Sequence, residues 1–130
     1  MLILTLRTDK PESEIGLYRD SEKLAYFEWH ADRQLAETIH LKIKEVLDGH
    51  ETDFNKLEGI VVYMGPGSFT GLRIGIAVAN ACAYGLTIPI IGSKGDNWIA
   101  EGIKQLLDEK NDSVVIPEYG APPNITKPRK

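Results

Sequence analysis

Gly65-Pro66-Gly67-Ser68-Phe69-Thr70-Gly71-Leu72-Arg73-Ile74-Gly75 joins two apolar runs of different length. Before it, Ile60 to Tyr63 is short and β-branched, as in a buried strand; after it, Leu72 to Leu86 is long enough to form a helix. The glycines therefore mark a strand-to-helix turn. Gly65 and Gly67 supply backbone angles closed to other residues, Pro66 fixes its own φ, and Ser68 or Thr70 is placed to cap the first helical amides.

Such a turn gathers free N–H groups at the positive end of a helix dipole, so a phosphate-binding loop must be weighed. A Walker A loop ends in Gly-Lys-Ser/Thr, with the lysine on phosphate and the hydroxyl on magnesium, whereas Gly71 is followed by Leu72 and Arg73. A dinucleotide fingerprint needs glycine where Thr70 stands and an acidic residue after the next strand, but Ile88–Ile91 runs into Gly92-Ser93. A tight turn with a cap is the better reading.

Outward from the turn, Leu2–Leu6 reads as a strand and Ile15–Tyr18 with Leu24–Trp29 as a hairpin. Gln34–Leu47 reads as a helix with Leu35, Ile39, Ile43 and Leu47 on one face. Trp98, Ile99, Ile103, Leu106 and Leu107 mark a third helix, with Ser93 or Asp96 as its cap. A short last strand is expected around Ser113–Ile116. The opening strands, joined by short turns, predict an antiparallel three-strand meander, and the later ones, separated by helices, predict parallel pairing. The fold class is α/β, a mixed sheet with helices packed on it.

At 130 residues the chain has the size of one domain. A 42% hydrophobic and 26% charged composition excludes a disordered chain. The net charge of −4 argues against independent binding to a nucleic-acid backbone, which takes several clustered cations. The longest apolar run contains Arg73 and no basic leader precedes an apolar core, so no membrane segment is expected and a cytoplasmic location is. Cys82, alone and inside an apolar helix, reads as a small hydrophobe.

The motif resembles the signature of the TsaB (YeaZ) or Gcp-like family, and the likeness extends over most of the chain. It takes in the strands and first helix above, Leu57-Glu58-Gly59-Ile60-Val61-Val62 before the signature, Ile88-Pro89-Ile90-Ile91-Gly92-Ser93 beyond it, and Pro117-Glu118-Tyr119 with Pro122-Pro123-Asn124-Ile125-Thr126-Lys127 near the end. The resemblance implies a single ribonuclease-H-like half of the actin-like (ASKHA) fold over residues 1–118, with 119–130 as a C-terminal tail. Three features depart from the family pattern. The resemblance implies a second lobe of about a hundred residues, where this sequence has only a short segment between the third helix and the tail. Arg7 aligns with the aspartate that ATP-binding relatives use to hold metal and phosphate, although Asp9 is close. The usual histidine at the start of the first helix is replaced within Ala31-Asp32-Arg33-Gln34.

By that resemblance the chain is a non-catalytic accessory subunit. It pairs through helices with the transferase TsaD, with the ATPase TsaE also involved, in threonylcarbamoyladenosine modification of tRNA. No cofactor is expected on the chain itself; ATP or ADP and the metal belong to the partner, and tRNA is reached only through the complex. The implied signature turn is Gly65, Pro66, Gly67, Ser68, Phe69, Thr70 and Gly71.

The middle helix supplies the surface. Leu72, Ile74, Ile76, Ala77, Val78, Ala79, Ala81, Cys82 and Ala83 surround its axis, and a helix apolar on all sides is covered on all sides. Gly71, Gly75, Ala79 and Ala83 form a row of small residues, open to close approach by the chain's own sheet or by another backbone. Taken with the apolarity elsewhere, the row is assigned to a partner, with Leu72, Arg73, Gly75, Ile76, Ala79 and Asn80 as contacts and a homodimer through the same surface when the chain is alone.

Two other function classes stay open. A small Ser/Thr-dependent acyltransferase or peptidase would use Ser68 or Thr70, but Gly-x-Ser-x-Gly is broken by Thr70 and no histidine is spaced as its base. A self-associating nucleotide-binding module would need acidic ligands at the strand ends, where Arg7 stands. His30, His40 and His50 lie on different elements and lack metal-ligand spacing, so they read as surface histidines and no metal site is expected.

Overall fold

The computed structural model describes residues 1–119, the side chain of Asp32 excepted. Five strands form one sheet: β1 (Leu2–Arg7), β2 (Glu12–Arg19), β3 (Glu22–His30), β4 (Gly59–Tyr63) and β5 (Ile90–Ser93), in the order β3-β2-β1-β4-β5. The first three make the antiparallel meander, with Leu4 opposite Leu17 and Ile15 opposite Phe27. β4 pairs in parallel with β1 and β5, with Leu4 beside Ile60 and Val61 beside Ile91. The mixed sheet is the one expected, with β5 beginning at Ile90 rather than Ile88.

Three helices cover it: α1 (Leu35–Asp48), α2 (Phe69–Leu86) and α3 (Trp98–Leu107). Every residue of β4 is buried, as a central strand covered on both faces must be. On one face lies α3, close because Gly102 has no side chain: a Cβ there would sit 3.0 Å from Val61 Cγ2. The Tyr63 and Trp98 rings meet edge to face on the same side, 5.8 Å between centroids. On the other face α1 and α2 touch each other and bury Ile39, Ile43, Leu72 and Ile76 over the sheet.

Two expected caps are not made. Ser68 is the N-cap residue of α2 and Asn97 that of α3, and neither side chain bonds a helical amide. The expected final strand at Ser113–Ile116 is also absent, because Ser113 turns into the left-handed region at φ 67° and the Val114 amide bonds back to the Asp112 carbonyl. Beyond α3 the chain instead forms an irregular strap, residues 111–119, laid along the free edge of β5. The Asn111 side chain accepts from the Ile90 amide and the Asp112 side chain from the Gly92 amide, so two edge donors are satisfied without a sixth strand. The expected tail 119–130 lies outside the described residues apart from Tyr119.

Candidate functional site

The signature turn leaves β4 at Tyr63, whose hydroxyl donates to the Pro66 carbonyl at 2.9 Å. Gly65 has φ +126°, a conformation only glycine takes easily, and it also packs against the strap: a Cβ would lie 2.9 Å from the carbonyl carbon of Glu118. Gly67 is needed for a different reason from the one its sequence suggested. Its φ is not positive; it abuts Asp9, and a Cβ would fall 2.9 Å from Asp9 Oδ2.

The row Gly71, Gly75, Ala79 and Ala83 faces inward, a correction to its assignment to a partner. Thr8, buried after β1, donates its hydroxyl to the Gly71 carbonyl at 2.7 Å. A Cβ on Gly75 would sit 2.8 Å from Thr8 Cγ2 and nearer still to the hydroxyl, so Thr8 occupies the groove that the glycines open. Leu72, Gly75, Ile76 and Ala79, expected as partner contacts, are core residues of this chain. Asn80 is committed as well. Its amide nitrogen donates to the Val115 carbonyl at 3.0 Å and its oxygen accepts from the Val115 amide at 2.9 Å, clamping the strap to α2. Of the expected contacts only Arg73 is exposed, its guanidinium 5.2 Å from the centre of the Phe69 ring.

The free surface of α2 is its opposite side. Phe69 is 53% exposed and Tyr84 89%, and Ala77, Ala81 and Gly85 form a second small-residue row between them. Ile74, Val78 and Cys82 flank it half-buried. Phe69 stacks on Tyr119 at 4.5 Å, joining the strap to one end of this stripe. By length and composition α2 could cross a membrane, contrary to the expected absence of such a segment, but its inner face is packed on the sheet as in a core helix and Arg73 lies on the outer one. Burial pushes the Cys82 thiol pKa above its ordinary value, which suits the apolar role expected of it.

Arg7 does not present a vacant position. Its Nε donates to Asp9 Oδ1 at 2.7 Å, a second nitrogen reaches Oδ2 at 3.2 Å, and the guanidinium lies 3.9 Å from the centre of the Tyr63 ring. Burial pulls the Arg7 pKa down, but the hydrogen bond and charge of Asp9 more than offset it, leaving the group above its usual value. Asp9, the nearest candidate for the relatives' metal ligand, is thus spent on an ion pair. Among the described residues no three His, Cys, Asp or Glu side chains group as metal ligands. His30 faces Glu12 at 3.1 Å, and His40 on α1 and His50 in the turn after it are exposed.

Between the β1–β2 turn and the N-termini of α1 and α2 lies a cleft of about 250 Å³, lined by Thr8, Asp9, Lys10, Ser13, Arg33 and Ser68 among others. Sequence reasoning missed it, because its walls come from three separate segments. Among the described residues no histidine lines it, and the carboxylate in its wall, Asp9, is held by Arg7.

A single mixed sheet with two helices on one face and one on the other, entered through a glycine turn, defines the class: a ribonuclease-H-like α/β fold. The Thermus thermophilus RuvC structure shares this fold over 95% of this chain and 86% of its own, at TM-score 0.51 and 12% identity. A crystal structure of an uncharacterised Pseudomonas aeruginosa protein with similarity to peptidase YeaZ matches at TM-score 0.67 and 25% identity, over 72% of this chain and 43% of that one. The tRNA threonylcarbamoyladenosine biosynthesis protein TsaB of Escherichia coli (strain K12) is 31% identical over 102 residues, 78% of this chain and 44% of the relative. The family model of TsaD, tRNA N6-adenosine threonylcarbamoyltransferase, matches residues 29–110. The chain belongs to this TsaD family, of which it is a short TsaB/YeaZ-like member. It spans about half, or less, of the length of the curated relatives it matches.

Proposed function

We propose that this chain is a non-catalytic accessory subunit of tRNA threonylcarbamoyladenosine formation, docking on a TsaD-type transferase in the cytoplasm. The observation that carries the reading is the outer stripe of α2: Phe69, Ala77, Ala81 and Tyr84 lie exposed on the helix that follows the family signature. Small residues at every fourth position let a second helix approach closely, and the aromatic residues at the two ends supply anchoring area. The docking contacts are therefore Phe69, Arg73, Ala77, Ala81 and Tyr84 and not the inner row. A homodimer forms through the same stripe when no transferase is present, since exposed apolar patches self-associate.

A catalytic role is disfavoured because the hydroxyls of Ser68 and Thr70 are exposed with no histidine in their cleft among the described residues, and because its carboxylate, Asp9, is paired with Arg7 at the end of β1. ATP or ADP and metal belong to the partner on this reading, and TsaE and tRNA are met through the assembly. Size-exclusion chromatography of the chain mixed with a TsaD-type transferase tests it. A peak earlier than either protein alone, containing both, is expected; separate elution at micromolar concentration would refute it.

A further inference from the structure

We propose that β3 pairs edge to edge with β3 of a second copy of this chain, antiparallel about a twofold axis at Tyr26, so that two five-stranded sheets join into one. The surface is separate from the docking stripe of α2. The two edges of the sheet are treated differently. At β5 the side chains of Asn111 and Asp112 satisfy the outer amides of Ile90 and Gly92. β3 is the other edge, nine residues long, and among the described residues no strand, loop or side chain bonds its outer backbone groups. Its centre, Leu24-Ala25-Tyr26-Phe27, is apolar and half-buried. A long edge of this kind is a template for another strand.

The occupant follows from the sequence of β3, which is complementary to itself in one register. Ala25 and Phe27 lie opposite Leu17 and Ile15 of β2, on the sheet face that α1 covers, and Leu24 is an extra residue where the β2–β3 register shifts. With Tyr26 on the axis, Ala25 of each copy meets Phe27 of the other, small against large. Beyond the extra residue Lys23 meets Glu28, opposite charges on the face away from α1, and the symmetry makes this pair twice. Both side chains are exposed and neither makes an ion pair among the described residues. Charges on an edge ordinarily keep a second strand away. Here they favour a second copy in this register alone, because with Ala25 or Phe27 on the axis Lys23 and Glu28 do not meet. A cleft of about 280 Å³ also opens beside Ala25, walled by Phe27, by Val46 of α1 and by Gly49 and His50 after it. Phe27 of the second copy falls at its mouth.

Sedimentation equilibrium of the full chain tests the pairing, in an Ala81→Glu background that blocks association through the α2 stripe. A weak dimer is expected, with a dissociation constant of roughly 10–100 μM, as befits a small interface. Lys23→Glu or Glu28→Lys sets like charges against each other at both pairs and should weaken the dimer about tenfold, with the melting temperature unchanged because both residues are exposed. An equimolar mixture of these two variants brings opposite charges together again and should associate more tightly than either variant alone. A folding defect could not be rescued by mixing. A dimer that neither charge reversal weakens, a mixture no tighter than its components, or a chain still monomeric at about 1 mM would overturn the proposal. Protection of the Leu24–Phe27 amides from hydrogen exchange that appears only on adding a TsaD-type transferase would give the edge to that partner and overturn it equally. With the stripe blocked throughout, the self-association result is independent of transferase docking there.

Discussion

Thr8 and Gly75 meet at a contact with no room for a methyl group. The Thr8 hydroxyl both fills the gap over Gly75 and bonds the Gly71 carbonyl, so a side chain at residue 75 must expel it from a buried position. Gly75→Leu should therefore destabilise the folded chain by about 1–3 kcal/mol, the usual range for overpacking, despite the better helix propensity of leucine. Chemical denaturation measures this directly; an unchanged midpoint would mean that the row is not against Thr8. Tyr26 gives a second test at the same scale. Half-buried, and with its hydroxyl donating to Glu14, it has a pKa pushed well above the ordinary 10.0, by burial first and then by that bond. The folded state then holds the proton more tightly than the unfolded one. This contribution is fully present below about pH 10 and is lost as the pH rises beyond the unfolded value. Tyr26→Phe should lose stability less steeply than the parent in alkaline melts, and identical slopes would contradict the assignment.

At the scale of elements, α2 has two rows of small residues, and its sequence does not say which one faces the sheet. Apolar residues surround the axis, so the 3.6-residue period that located the inner faces of α1 and α3 is nearly silent here. Gly71-Gly75-Ala79-Ala83 and Ala77-Ala81-Gly85 look alike until Thr8, more than sixty positions away, is known to lie beneath the first. The strap was hidden for the same reason. Its apolar run Val114–Ile116 has the composition of a strand, but Asn80 holds Val115 from a distance of 35 positions, and the β5 edge is completed by the side chains of Asn111 and Asp112. The five strands, their antiparallel or parallel pairing and the three helices were legible, α1 and α3 from their period and α2 from the length of its apolar run beyond the glycine turn. Asn80→Ala should release the strap. Losing two hydrogen bonds to one peptide predicts a cost of about 1–3 kcal/mol and new protease cleavage between residues 111 and 119, with α2 otherwise intact. Cleavage no faster than in the parent would show that the clamp is not what holds the segment.

For the molecule as a whole, the sheet covers one side of α2 and the other side is exposed among the described residues. The chain spans about half, or less, of its matched relatives, so a cleft between two lobes, where a nucleotide could be enclosed, cannot be assembled from the described residues alone. With Arg7 and Asp9 paired at the end of β1, calorimetry of the isolated chain with magnesium-ATP should give no micromolar binding; such binding would favour the nucleotide-module reading instead. The central claim is that the outer stripe of α2 is the docking surface. Ala81 lies in its middle, exposed, where a charge leaves the core untouched but is desolvated in a complex. The most direct test is the calorimetric affinity of Ala81→Glu for a TsaD-type transferase, measured beside the parent. The parent should bind and the variant, folded and equally stable, should lose binding by at least about a hundredfold, the range of hot-spot disruption. Equal affinities for the two proteins would contradict the account and place the interface on another face of the chain.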